Sequence, residues 1–230
     1  MKQTIQLVLI CLAILTACQP APTVPAEPVT TDTQPEALPA AVPTIASATL
    51  NHQNITVQVP PGWDALATER AILYTESHHS FETVGHLDGI SVSVFSPSST
   101  DLAAYESTVF AAHNPAHMLL TLVVNGRHYP DNAQVTSPQT FQWQGFDAAY
   151  YTLSNEAGIV TVLVAVSLPE ETLLVFNISA PNTERQRLRQ QLPDILGQIT
   201  VGEYTLYGDQ LTDLPALLRY PADDRNVSGN

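Results

Sequence analysis

The chain has 230 residues, 22 acidic and eight basic, for a formal net charge of −14 at pH 7, with charged residues making up only 13% of the total. A surface of that sign repels phosphate backbones and anionic headgroups, which argues against nucleic acid as a partner. Both cysteines, Cys11 and Cys18, lie near the N-terminus, so the rest of the chain can form neither a disulfide nor a thiolate metal site and must be held by a packed core.

Met1-Lys2-Gln3 supplies one early positive charge, and Ile5 to Leu15 follows as an apolar run of the length found in export signals. It is shorter than the about 20 apolar residues that cross a bilayer. At its end, Leu15-Thr16-Ala17-Cys18 resembles the lipobox of bacterial lipoprotein precursors: a branched apolar residue, two small residues and a cysteine. The resemblance implies that Leu15, Thr16 and Ala17 are read by the signal peptidase, that residues 1–17 are removed, and that Cys18 carries a diacylglycerol. Small side chains at 16 and 17 leave the backbone open to a peptidase, and only a thiolate forms the thioether. The expected partner on this side is membrane lipid, and the expected location is outside the cytoplasm. An ordinary secretory signal with a chance cysteine is the competing interpretation. Loss of residues 1–17 takes away Lys2, the one lysine, and leaves seven arginines against 22 acids, a net −15. Acyl chains rather than surface charge would then hold the protein to a membrane.

Residues 18–46 carry prolines at 20, 22, 25, 28, 35, 39 and 43 among Ala, Thr, Val and Glu, and are expected to form an extended tether reaching roughly 30–85 Å. A single globular domain is expected over 47–202, followed by an acidic, partly disordered extension over 203–230. Ile55 to Val59 alternates as a half-buried strand and is stopped by the turn Pro60-Pro61-Gly62-Trp63. Ile72 to Thr75 and Ile90 to Phe95 read as two more strands. Between them lies a polar loop with His78, His79, His86 and Asp88.

Ser98 and Asp101 stand at capping-box spacing ahead of Leu102, Tyr105, Val109 and Ala112, which predicts a helix broken at Asn114-Pro115. Residues 116–129 fit a further helix or a hairpin turned at Asn125-Gly126, and the helix is favoured. Phe141 to Leu153 reads as one strand bulged at Gly145. The turn Asn155 to Gly158 leads into Ile159 to Leu168, which with Leu173 to Ala180 forms nearly continuous aliphatic runs, as in central strands. Asn182 is the expected cap of a last helix with Leu188, Leu192, Ile195, Leu196 and Ile199 on one stripe, kinked or restarted at Pro193. Beyond Gly202, Leu211 to Tyr220 could form a short docked helix, and Asp223 to Asn230 is expected to be disordered.

Strands, a helix, a strand meander and a closing helix argue for an α+β domain on a mainly antiparallel sheet. Here Val59-Pro60-Pro61-Gly62-Trp63 resembles the "YPxGW" turn of PsbP-like domains. The strand Ile90 to Phe95, the helix from Asp101, the segment Gly145 to Ala148 and the ending Ile195-Leu196-Gly197-Gln198-Ile199-Thr200-Val201 are similar to the same pattern over roughly 50–202. The resemblance implies an α/β/α sandwich and a non-catalytic accessory protein. The acidic tail and the 114–140 segment depart from that pattern.

For chemistry, imidazole is the commonest metal ligand, and His78, His79 and His86 with Asp88 could converge in their loop. His113 and His117 are four apart, yet Pro115 separates them and no Glu follows His113, so a histidine at the edge of the core is the favoured interpretation. No G-x-S-x-G or G-x-x-x-x-G-K-[ST] is present. Glu170-Glu171 and Asp223-Asp224 read as solvated turn or tail residues. Arg185 and Arg189 are expected to lay their stems over the core, and Trp63 and Trp143 to be core anchors. These observations favour a lipid-anchored, non-enzymatic accessory or protein-binding module that takes no cofactor and meets an envelope protein. The alternative is a small-ligand or metal-binding lipoprotein that uses the 78–88 loop.

Overall fold

The longest aliphatic runs set the frame. A computed structural model describes residues 44–82, 87–126, 129, 133–211 and 214–221, and in it β9 (Ile159–Leu168) and β10 (Thr172–Pro181) pair antiparallel along their whole lengths. Side chains alternate across a strand, so each run is sorted between two faces. Val160, Val162, Val164 and Val166 of β9, with Leu174, Phe176 and Ile178 of β10, point into one core. Ala165 of β9, with Leu173 and Val175 of β10, points into another. Burial on both sides is why these strands lack polar alternation.

Around this hairpin stand β3 (Asp64–Ala67), β4 (Ile72–Thr75), β5 (Ser91–Phe95), β6 (Gln134–Val135), β7 (Gln139–Trp143) and β8 (Phe146–Ser154). The order is β3-β4-β5-β10-β9-β8-β6, with β7 also on β8. A second, four-stranded sheet runs β1 (Thr44–Leu50), β2 (Gln53–Val59), β11 (Gln198–Val201) and β12 (Tyr204–Tyr207). Every ladder between these strands is antiparallel.

One face of the large sheet is covered by α3 (Glu106–Phe110) and α4 (Pro115–Asn125), through Val109, Ala116, Leu119 and Leu120. The other is covered by α5 (Arg185–Leu196), through Leu188, Leu192, Ile195 and Leu196, together with the inner face of the small sheet. Helices thus lie on both sides of a mainly antiparallel sheet, and the α+β class expected from the sequence is the one observed. Two short helices, α1 (His79–Glu82) and α2 (Ser99–Leu102), complete the loops around β5.

Local rules account for much of the detail. Ser98 and Asp101 form the expected capping box, with the Asp101 N–H donating to Ser98 Oγ at 3.2 Å and the Ser98 N–H donating to Asp101 Oδ2 at 2.8 Å. The favoured helix over 116–129 exists as α4, started by Pro115 in its first turn and by Asn114, whose Oδ1 accepts the His117 N–H at 2.8 Å. Several expectations are corrected. The helix after Ser98 is two pieces, because Ala103 and Tyr105 turn back on Thr100 and Leu102 with three-residue bonds. The strand bulged at Gly145 is a hairpin, β7 to β8, turned by Gln144 at φ 53° and Gly145 at φ 83°. Asn182 opens a 3-10 turn, and Glu184 precedes α5 instead. α5 continues through Pro193 without restarting there, and Ile199 leaves its stripe to lie buried in β11.

The domain also extends beyond 47–202 at both ends. β1 begins at Thr44, with Ala46 and Leu50 buried. On the C-terminal side, β12, a 3-10 turn and α6 (Leu214–Leu217) carry Leu206, Leu211, Leu214, Leu218 and Tyr220 into the main core. Gly208 makes this docking possible: its N–H donates to Gly197 O at 2.5 Å, and a Cβ there would stand 1.9 Å from Pro193 O. Asp223 to Asn230 lies outside the described residues.

Candidate functional site

The loop between β4 and β5 holds the densest group of polar side chains singled out from the sequence. Its base is closed by the backbone: the Glu76 N–H donates to Ile90 O at 3.0 Å, and Thr75 Oγ1 donates to the same oxygen at 3.2 Å. The Ile90 N–H returns to Glu76 Oε2 at 2.7 Å. Inside the loop, Ser77 Oγ donates to Asp88 Oδ2 at 3.1 Å, while Ser80 Oγ donates to Asp88 O at 3.2 Å and accepts the Asp88 N–H at 3.3 Å. Gly89, at φ +80°, brings the chain so close that a Cβ would meet Glu76 Oε2 at 2.5 Å.

Arg187 locks this loop to α5. Its guanidinium donates to both Glu76 oxygens, the Nη2 to Oε2 bond measuring 2.7 Å, and also to Glu184. Burial works to raise the Glu76 carboxyl. The Arg187 hydrogen bond, the Ile90 N–H and the Arg187 charge outweigh it and hold the group below its usual range. The same pairing, led by the bond from Glu76, pushes Arg187 further up. A fork-to-fork arrangement of this kind positions a loop and stays ionised at neutral pH, so its chemistry is structural.

The histidines sit outside that clasp. His78 Nδ1 lies 3.5 Å from Asp64 Oδ2, both side chains well exposed, and its ring stands edge-on to Phe81 at 6.0 Å. His79 begins α1. His86 lies outside the described residues. Among the described residues, no three His, Cys, Asp or Glu side chains gather closely enough to hold a metal ion. An exposed pair such as His78 and Asp64 contributes about 0–1 kcal/mol.

No protein-family model matches the sequence, and no curated protein matches it. Among solved structures, the chain is similar to the solution structure of cyanobacterial PsbP (CyanoP) from Synechocystis sp. PCC 6803, at 11% identity and a TM-score of 0.42, over 74% of this chain and 98% of that one.

The other sequence candidates have structural work. Trp143 is fully buried, stacks at a tilt on Phe176 with centroids 5.5 Å apart, and donates Nε1–H to Tyr207 O at 2.9 Å. Trp63 is half-buried against Tyr74. Arg189 lays its guanidinium over the Tyr220 ring, 5.2 Å from the centroid, and donates to Leu218 O at 2.8 Å. Arg185 accepts the Tyr220 hydroxyl on its carbonyl at 3.2 Å. His113 is exposed rather than at the core edge, because α3 ends at Phe110 and turns it outward, and His117 is half-buried in the first turn of α4. Glu170 and Glu171 form the β9 to β10 turn, both at positive φ. Leu15, Thr16, Ala17, Cys18 and Asp223-Asp224 lie outside the described residues. Among the described residues, no helix is long and apolar enough to cross a membrane. The Glu76 to Arg187 clasp escaped sequence reasoning because its partners are 111 positions apart and neither stands in a motif.

Proposed function

We propose that this chain is a lipid-anchored extracytoplasmic module that works by binding rather than by catalysis and meets a protein partner in the cell envelope. The observation that carries this reading is Leu15-Thr16-Ala17-Cys18 at the end of the apolar run Ile5 to Leu15. Two features support it. The acidic balance gives the domain no attraction of its own for anionic lipid, so attachment has to come from elsewhere in the chain. The buried and half-buried polar groups near the candidate residues, Glu76, Arg187, Arg189 and Trp143, direct their bonds to the fold itself.

The test is Cys18→Ala in the native host, read by fractionation and intact mass. The native chain should sediment with membranes and weigh more than residues 18–230 by its acyl groups, while the variant should become soluble. Equal membrane fractions for the two, or a native mass equal to the unprocessed polypeptide, would refute the anchor. Cross-linking of intact cells, followed by mass spectrometry, should then return one reproducible protein partner for the native chain.

A further inference from the structure

The small sheet turns one face to the core and the other to solvent, and the solvent face is built of hydroxyl and amide side chains with one aromatic and one aliphatic residue. The ladders place Ser47 opposite Thr56, Thr56 opposite Thr200, and Thr200 opposite Thr205, a row of hydroxyls crossing all four strands. One step along the strands, Ile45 stands opposite Gln58 and Gln198 opposite Tyr207. The pairing of Ile199 with Val57 sets Gln58 beside Gln198, so this second row also spans the sheet. None of the outward residues of these four strands is charged, in a chain whose net charge is −14.

The rows are held in place. Ser47 Oγ and Thr56 Oγ1 share a hydrogen bond of 3.1 Å, and Thr200 Oγ1 and Thr205 Oγ1 one of 3.3 Å. Each pair uses one proton, so one O–H and several lone pairs per pair remain for a ligand. Tyr207 is 44% exposed and Ile45 68% exposed, at opposite ends of the second row. The Tyr207 backbone is fixed on both sides: its carbonyl accepts Trp143 Nε1–H at 2.9 Å, and its N–H donates to Gln144 Oε1 at 2.6 Å. At about 4.8 Å between strands, each row is about 14 Å long.

An uncharged face offers no local charge to pair with a basic or an anionic partner, whatever the protein's overall field. What it offers is a regular field of hydroxyls and amides, with an aromatic ring at one end and an aliphatic side chain at the other. The ligand class that matches is a neutral polyhydroxyl chain, whose sugar rings present C–H faces to aromatic surfaces and hydroxyls to amides. We propose that the outer face of the β1-β2-β11-β12 sheet binds a neutral glycan laid across the strands, with Tyr207 and Ile45 under its C–H faces and Gln58, Gln198 and the threonine row on its hydroxyls. This goes beyond the anchored-module reading and does not depend on it, since the face is the same whether or not Cys18 is acylated.

The test uses the purified full-length chain carrying Cys18→Ser, so that the lipid question cannot affect the result. Co-sedimentation with insoluble cellulose and chitin, and titration with cellohexaose and chitohexaose, should show binding to at least one of them. That binding should be unchanged between about 0.05 and 1 M NaCl, because a neutral ligand leaves no charge to screen. Tyr207→Ala should weaken it about tenfold, which corresponds to about 1.4 kcal/mol for the lost stacking ring. Thr56→Glu with Thr200→Glu should abolish it. Should that double variant misfold by circular dichroism, Tyr207→Ala with Ile45→Ser decides, as both residues are exposed. Failure to bind all four glycans, binding that disappears in high salt, or binding that survives in a folded face variant overturns the proposal, as does capture of a protein through this face with no glycan bound.

Discussion

Removing the Glu76 carboxylate should loosen the β4 to β5 loop and lower stability by an amount the geometry bounds. Glu76→Ala takes away the acceptor for two Arg187 bonds and for the Ile90 N–H. Hydrogen bonds to charged groups contribute about 1.5–3 kcal/mol each when dry. Here the Arg187 side chain is 38% exposed and the Glu76 side chain 23%, so solvent screening brings the set down to about 2 kcal/mol. At about 2–4 °C per kcal/mol for a domain of this size, the melting midpoint should fall by about 6 °C. Glu76→Gln keeps an acceptor for Ile90 and should lose about half as much. The pH dependence has a definite sign. The Glu76 carboxyl is held below its ordinary 4.5, so the folded state takes up its proton less readily than the unfolded chain. Its contribution is therefore complete above that ordinary value and disappears as pH falls through the lower folded value. Thermal melts followed by circular dichroism should show a constant gap between wild type and Glu76→Gln from about pH 8 to 5, narrowing below. A gap that persists undiminished to about pH 3, or a Glu76→Ala midpoint equal to wild type, would refute the reasoning.

Two further outcomes follow from the packing. Truncation after Glu203 removes Leu206, Leu211, Leu214, Leu218 and Tyr220 from the core. At about 1.5–3 kcal/mol for each buried side chain, the loss is about 10 kcal/mol, comparable with the whole stability of an ordinary domain, and the truncated chain should show an unfolded amide spectrum by NMR. Replacing Glu170-Glu171 with Asn-Gly relieves two non-glycine residues at φ 58° and 55° and should raise the melting midpoint by about 3 °C, from about 1 kcal/mol of relief.

The sequence displays β2, β5, β9 and β10 plainly because each is either cleanly alternating or uniformly aliphatic, and the capping box at Ser98 and Asp101 is a local signal read locally. β1 and β3 were hidden for opposite reasons. Thr44 to Leu50 presents mostly small residues to the core directly after a run of prolines, and all four residues of β3 are exposed, so neither carries a strong hydrophobic pattern. The β7 to β8 hairpin was hidden by its turn, where Gln144 takes a positive φ that glutamine rarely adopts. Ile199 keeps helical spacing after Leu196 although Gly197, at φ 49°, has already ended the helix. The C-terminal segment carries its apolar residues at irregular intervals because it docks through turns rather than as one amphipathic element. Long-range arrangements were the least visible: the Glu76 clasp and the hydroxyl row exist only once distant strands and helices meet.

Entry of the chain through β1 has a mechanical consequence. Thr44 lies opposite Val59, at the end of the β1 to β2 hairpin away from its Asn51-His52 turn, and β1 is the outermost strand of its sheet. A load that draws Thr44 away from Val59 across the ladder therefore falls on one rung at a time, whereas a load along the strand would shear all seven together. Drawn sideways from its border position, this strand would part from β2 progressively, beginning at the Thr44 to Val59 rung and ending at the turn.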